Sequence, residues 1–218
     1  SLDWNDRIGN VQYYLGFNLY DSRTKITKYD NEVGLLGKDS DGNLIYRKGM
    51  ELGEIWGYTT DRLYTTEDFD SQGTLKNNIP KMEGYNPNPG DILYVDFDGN
   101  GIINNGKNTS NEPGDTHIIG NDTRRYQYGI RGGAAWKGIS LSFILQGVGK
   151  RDLWLMNELF YPHYDAYSTL FDSQLNYWTP EHTNSYFPRL YAKAEGNTKA
   201  NQKRQTRFLQ NGAYLSIR

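Results

Sequence analysis

The stretch YQYGIRGGAAWKGISLSFILQGV, residues 126–148, constrains the fold more than any other part of the chain. Tyr126, Tyr128, Ile130, Ala134 and Trp136 fall on one side of a period-two pattern, and Gln127, Gly129, Arg131, Gly133 and Ala135 on the other. After the two residues Lys137-Gly138 the alternation resumes, with Ile139, Leu141, Phe143 and Leu145 set against Ser140, Ser142, Ile144 and Gln146. Successive side chains point to opposite faces only in a strand, so the pattern predicts a β-hairpin closed by a tight turn. VQYYLGFNLY, residues 11–20, repeats it: Val11, Tyr13, Leu15, Phe17 and Leu19 share one face, and Gln12, Tyr14, Gly16, Asn18 and Tyr20 the other.

Two environments accept such strands. In a soluble sandwich the apolar face meets a second sheet, and in an outer-membrane barrel it meets lipid while the other face lines the lumen. The runs are of the length that a tilted strand needs to cross a bilayer, about 9–11 residues. Aromatic residues stand near the ends of the apolar face, as they do in an interfacial girdle. The opposite face holds Gly, Ser, Gln and Arg, which would pack badly in a sandwich core. The turn at Lys137-Gly138 is minimal, whereas long segments, 21–125 and 149–205, separate the strands on the other side. Short turns on one side and long loops on the other are the asymmetry of outer-membrane barrels, and compact soluble domains seldom carry such connections. A last strand is expected over 206–217. The polar first residues, SLDWNDRIGN, and the end within that strand read as cuts inside a longer protein.

Composition agrees with a β-rich chain. The hydrophobic fraction is 36%, yet aromatics reach 14%, with 18 Tyr and 24 Gly, which excludes a disordered chain and suits strands with long polar loops. The long segments contain Trp56, Trp154 and Trp178 and are expected to fold on themselves. A net charge of −2 with scattered Lys and Arg argues against a nucleic-acid partner. The absence of cysteine removes disulfides and thiolate zinc sites, and no apolar run would span a membrane as a helix.

The segment DFDGNGIINNGK, Asp96 to Lys107, opens like a calcium loop. Asp96, Asp98, Asn100 and Asn104 bear side-chain oxygen at its first, third, fifth and ninth places, Gly101 sits sixth at the sharp turn and Ile103 eighth. Lys107 stands twelfth, where a bidentate acid should close the shell. The residues alone fit either a calcium loop whose last ligand lies elsewhere or a solvated Asx-rich turn.

Other constellations carry less. His117, His163 and His182 lack the spacing of a zinc site. Glu51 with Glu54, or Asp61 with Asp68, is read as loop charge rather than a glycosidase pair, so no catalytic residue is assigned. GIRGG lies in a strand pattern and completes no dinucleotide fingerprint, and Gly132 and Gly133 are read as sites of bending or close backbone approach. In YWTPEHTNSYFPRLY, Tyr177, Trp178, Tyr186, Phe187 and Tyr191 are read as a self-packed loop, with a platform for sugars or a partner as the alternative.

Several collinear blocks, PGDILYVDFDGNGIINN, GDTHIIGNDTRRYQYGIRGGAAWKGISLSFILQGVGKRD, YWTPEHTNSYFPRL and TRFLQNGAYLSIR, resemble the C-terminal half of SusC/RagA-type TonB-dependent outer-membrane transporters. The upstream WNDRIGNVQYYLGFNLYDSRTKITKYDN and ELGEIWGY blocks fit the same family, so the resemblance covers most of the chain. It implies an all-β fold in which residues 1–218 form antiparallel strands of an outer-membrane barrel with long external loops. The implied protein is not an enzyme but an importer of oligosaccharides or peptides, seated in outer-membrane lipid. It works with a SusD-like surface lipoprotein and is driven by the TonB complex through regions beyond these residues. In relatives, the resemblance implies, the acidic loop runs almost directly into an IGN block with an acid closing it. Here Asp115 takes that place before Ile119-Gly120-Asn121, and Asn105 to Gly114 read as an insertion. A structural calcium site is therefore expected from Asp96, Asp98, Asn100, the Ile102 carbonyl, Asn104 and Asp115. The runner-up is a secreted, soluble β-rich carbohydrate-binding module with structural calcium, and a glycoside hydrolase domain stands third.

Overall fold

The computed structural model describes residues 1–37, 44–165, 167–191 and 197–218. In chain order the strands are β1 (Leu2–Ile8), β2 (Val11–Tyr20), β3 (Glu54–Tyr58), β4 (Thr60–Leu63), β5 (Lys81–Met82), β6 (Ile92–Tyr94), β7 (Ile102–Ile103) and β8 (Thr116–Asn121). They continue as β9 (Arg125–Trp136), β10 (Ile139–Lys150), β11 (Asp152–Trp154), β12 (Tyr177–Trp178), β13 (Phe187–Arg189), β14 (Leu209–Asn211) and β15 (Tyr214–Ile217). One short helix, α1 (Asn197–Asn201), interrupts them among the described residues.

Five strands form an antiparallel sheet in the order β1-β2-β9-β10-β15, without closing into a barrel. The hairpin expected from the alternation is β9–β10, with Trp136 opposite Ile139. Its turn residues Lys137 and Gly138 both have positive φ, 45° and 86°, which matches the primed turns that follow strand twist. The β1–β2 turn at Gly9-Asn10 lies at the same end, since Ile8 faces Val11 and Val11 faces Trp136. Residues 21–124 and 151–213 leave from the opposite end.

The register sorts the sheet into two chemistries. Leu2, Trp4, Ile8, Leu15, Phe17, Leu19, Trp136, Ile139, Leu141, Phe143, Leu215 and Ile217 share one face, and all are exposed. Leu141 is 74% exposed and Ile217 73%, so no described layer of protein covers them. Asp3, Gln12, Asn18, Gln127, Arg131, Ser142 and Gln146 share the other. There Asp3 and Arg131 pair at 2.7 Å across the intervening Gly16. A Cβ on Gly16 would meet both side chains at 2.6 Å, so glycine is what lets the ion pair cross β2. Gly133 likewise lies under the Tyr14 ring and Gly132 under the Phe143 ring, which is the close approach expected of that pair.

The two long segments fold on each other as a head with a core of its own. Tyr58, Tyr64, Phe69, Met82, Ile92, Leu93, Tyr94, Ile103, Tyr161, Phe187 and Phe208 are buried together. Phe208, fully buried, has the rings of Tyr161 and Tyr186 at 5.4 and 5.7 Å between centroids, an edge-on geometry that suits their quadrupoles. The head strands pair as β3–β8, β4–β6, β5–β7, β11–β14 and β12–β13, of which β5–β7 and β12–β13 are parallel.

Two sequence expectations change. Residues 206–217 are not one strand: Thr206–Phe208 is a 3-10 turn, β14 pairs with β11 in the head, and only β15 joins the main sheet. The break falls at Gly212, whose N–H donates to the Arg151 carbonyl at 2.7 Å. Residues 2–8, read as merely polar, are strand β1, because Asp6 breaks an otherwise alternating Leu2, Trp4 and Ile8. The described residues of the long segments 21–125 and 149–205 fold on themselves, as their tryptophans led one to expect. Within them Trp178 and Phe187 are buried, so the aromatic stretch packs inward and its platform alternative loses two of its rings.

Candidate metal centre

The acidic loop is fixed at both ends. Ile103, at its eighth place, is fully buried in the head core and pairs with Met82 through the parallel β5–β7 bridge. The Gly101 and Ile103 carbonyls accept from Lys81 and Glu83, so this pairing steps past the Ile102 carbonyl. Gly99 and Gly101 have φ of 70° and 82°, which an L side chain would resist.

Those turns wrap backbone donors around Asp96, whose two oxygens accept from Gly99 and Gly101 N–H, each at 2.8 Å. Partial desolvation pushes the Asp96 carboxyl up, but these amide donors outweigh it and hold it below the usual carboxylate range. Asp98 accepts from the Asn100 backbone at 3.1 Å and from its side-chain amide at 2.8 Å. The side-chain oxygens of Asn100 and Asn104 accept from Ile102 N–H and Gly106 N–H, each at 2.7 Å.

Asp115 reaches the loop from beyond the insertion. Its carboxylate, 1% exposed, accepts from Phe97 N–H at 2.8 Å and Asn104 N–H at 2.9 Å, so it clasps the second and ninth places together. Its own N–H returns a bond to the Asn104 carbonyl at 2.8 Å. Asp96, Asp98 and Asp115 thus offer one carboxylate oxygen each within 4.8 Å of one another. Burial, followed by the charge of Asp115, pushes the Tyr58 phenol up to about 12.

The insertion explains Lys107. Gly106 and Gly114 pack so closely that a Cβ on the first would lie 2.7 Å from the second's nitrogen, and residues 105–114 form a hairpin. Lys107 is drawn to the returning limb, where it pairs with Glu112 at 2.8 Å. The cation at the twelfth place is therefore neutralised within the hairpin. The hairpin also holds residues 34–36: Leu36 N–H donates to the Asn108 carbonyl at 2.9 Å, and Ser110 N–H to the Gly34 carbonyl at 2.8 Å. No spacing in the sequence signalled that contact.

Three converging carboxylates and hard oxygen donors fit a divalent cation such as calcium. Of the six residues named from sequence, Asp96, Asp98 and Asp115 come together, while Asn100 and Asn104 use their side-chain oxygens to hold the loop turned. The other acids named from sequence are engaged elsewhere: Glu51 with Arg23, Glu54 with Arg47 and Trp56, Asp61 with the Arg62 Nε, and Asp68 with both terminal nitrogens of the Arg62 guanidinium. His117 bonds Thr59 and His182 bonds Asn176, each at 3.0 Å. No protein-family model matches the chain, and no curated protein matches it.

Proposed function

We propose that the five-stranded sheet is a section of the wall of an outer-membrane β-barrel. The chain then belongs to a TonB-dependent importer of oligosaccharides or peptides that works with a SusD-like surface lipoprotein. The observation that carries this reading is the uncovered apolar face of the sheet. A dozen large apolar side chains lie in one plane, on a chain whose head buries its aromatic residues efficiently. Soluble monomers rarely expose apolar patches beyond a few hundred Å², whereas lipid satisfies such a face.

Dimensions agree. From Tyr126 to Trp136 the strand advances ten residues, roughly 33 Å along its axis. Tilted by about 40°, that covers ~25 Å of membrane depth, the height of the apolar band in such barrels. The polar face would line the lumen, both tight turns would lie on the inner side of the membrane, and the head would stand outside. There the acidic loop would act as a calcium clamp on the external segments. The free edges of β1 and β15 would pair with further strands, since hydrocarbon leaves no open edge satisfied. Cargo capture under the lipoprotein lid, and release by a TonB-driven plug, would be the work of regions beyond these 218 residues.

Solubility of the full-length protein tests the reading. It is expected to stay dispersed in detergent micelles and to aggregate when detergent is removed without lipid. A monodisperse, detergent-free monomer would instead favour a secreted carbohydrate-binding module, in which the sheet has some other cover.

A further inference from the structure

We infer that a cleft in the head binds a neutral oligosaccharide through polar groups gathered around Trp178. The inference deepens the importer reading by naming one class of cargo; it rests on that reading for the purpose of the cleft but not for its geometry. The cleft, of about 600 Å³, falls in the range of small-molecule sites. One wall is β4 with the turn after it, residues 61–67, and the other is the segment 178–185. Arg207, which also lines it, is fixed to the second wall: its Nε and Nη2 donate to the carbonyls of Tyr186 and Ser185 at 2.8 and 2.6 Å.

Trp178 is the residue that points to a ligand. It is 5% exposed, it lines the cleft, and its indole N–H has no acceptor among the described residues. Among those residues the polar side-chain atoms sealed from solvent without a partner are Arg47 Nη1 and His117 Nδ1, so the Trp178 N–H opens onto the cleft. Gly90 lies against its ring, where a Cβ would stand 2.3 Å away, so Trp178 offers an edge donor rather than a stacking platform. The side chains around it are unengaged. Asp61 keeps only a 3.8 Å contact with Arg62 Nε, because Asp68 holds both terminal nitrogens of that guanidinium at 2.5 and 2.8 Å. Glu67, Thr183 and Asn184 are exposed, and their side chains have no partner among the described residues. Donors and acceptors thus stand side by side. A phosphate would meet Asp61 and Glu67, a bare cation would meet Arg207, and an apolar ligand would strand the indole N–H. A sugar hydroxyl donates and accepts at once, so a neutral polyol satisfies every group.

The test follows Trp178 directly. Full-length protein labelled with 5-fluorotryptophan, in a detergent without a sugar headgroup, is titrated with neutral oligosaccharides of glucose, mannose, galactose and xylose and, separately, with trialanine. The Trp178 fluorine resonance is the one missing from Trp178→Phe, which keeps an aromatic ring beside Gly90. It is expected to shift saturably with at least one of the sugars and not with trialanine. Asp61→Asn should raise the half-saturation concentration about tenfold, the loss of one charge-assisted hydrogen bond. Glu32→Gln, at an exposed acid outside the cleft, should leave it unchanged. A shift with trialanine alone makes the occupant a peptide and overturns the inference, as does a sugar-induced shift that Asp61→Asn leaves unaltered. Sugar binding seen by calorimetry with a silent Trp178 overturns the cleft and leaves the importer reading standing. A sugar-induced shift in a protein that stays monomeric without detergent supports the cleft and removes the importer. No binding of any sugar overturns the cleft and the oligosaccharide cargo together.

Discussion

Asp21 and Arg125, 104 residues apart in sequence, are joined by a two-pronged ion pair at the point where the chain leaves β2 and re-enters through β9. The pair closes the base of the first long excursion, and the Arg125 guanidinium also lies 5.1 Å from the centre of the Tyr126 ring. The hydrogen bond from Arg125 is the main cause that brings the Asp21 carboxyl from 3.8 down to about 2. A depressed folded pKa means that the pair's contribution is present above the unfolded value of 3.8 and is lost as pH falls through about 2. Hydrogen exchange at Tyr20 and Tyr126 should therefore rise on acidification through that window. Asp21→Asn should show the faster exchange already at neutral pH, and equal exchange in the two proteins at pH 7 would contradict the clasp.

Calcium should bind the loop through its three carboxylates. Isothermal titration is expected to show one site, at a dissociation constant on the order of 0.1–1 mM if the loop resembles extracellular modules. Asp98→Ala should abolish the heat, whereas Lys107→Gln should leave it nearly unchanged, because Lys107 is already paired with Glu112. No heat with the unmodified chain ends the idea.

Asp115 has a second role that does not need metal. Its removal orphans the Phe97 and Asn104 N–H groups at a buried site, each worth about 1–3 kcal/mol. Asp115→Ala should thus destabilise the head by about 2–4 kcal/mol in metal-free denaturant titrations, while the exposed Asp98→Ala should cost under about 0.5 kcal/mol there. Similar losses in both variants would remove the distinction between clasp and ligand.

The two faces of the sheet should differ in their tolerance of charge. Leu15 is half exposed on the apolar face near mid-strand, and Ser142 lies on the polar face. In vesicles, Leu15→Arg should lower stability by roughly 2–4 kcal/mol and Ser142→Arg by less than about 1 kcal/mol. Equal costs would mean that neither face meets hydrocarbon.

Asp91 tests the head alone. It is buried, and its carboxylate collects the Asn88 N–H, the Asn201 amide and the Tyr191 hydroxyl, each at 2.8 Å. Asp91→Ala is expected to cost about 3 kcal/mol by stranding those donors, seen as a lower denaturant midpoint. A midpoint within experimental error of the parent would show that the network is dispensable.

What was legible in the sequence follows from range. The alternation of 11–20 and 126–148 is local, and it placed β2, β9, β10 and the turn between them to within two residues. The strand β1 was missed because one aspartate sits on its apolar face beside the turn, where Tyr13 faces it. The long segments hide their structure because their strands are of two to six residues, too short to declare a period, and are joined by residues far apart in sequence. The Tyr94 hydroxyl, for instance, donates to the Ala200 carbonyl at 2.6 Å across 106 residues. At the acidic loop, side-chain spacing exposed Asp96 and Asp98, and family resemblance supplied Asp115. The hairpin that neutralises Lys107 could be seen only in three dimensions.

The most direct test of the lipid-facing sheet uses the absence of native cysteine. Single substitutions Ile139→Cys through Gln146→Cys would be placed in lipid vesicles and exposed to a water-soluble maleimide. Protection with period two is expected, strong at Leu141, Phe143 and Leu145 and weak at Ser140, Ser142 and Gln146. Uniform labelling along the strand would contradict it.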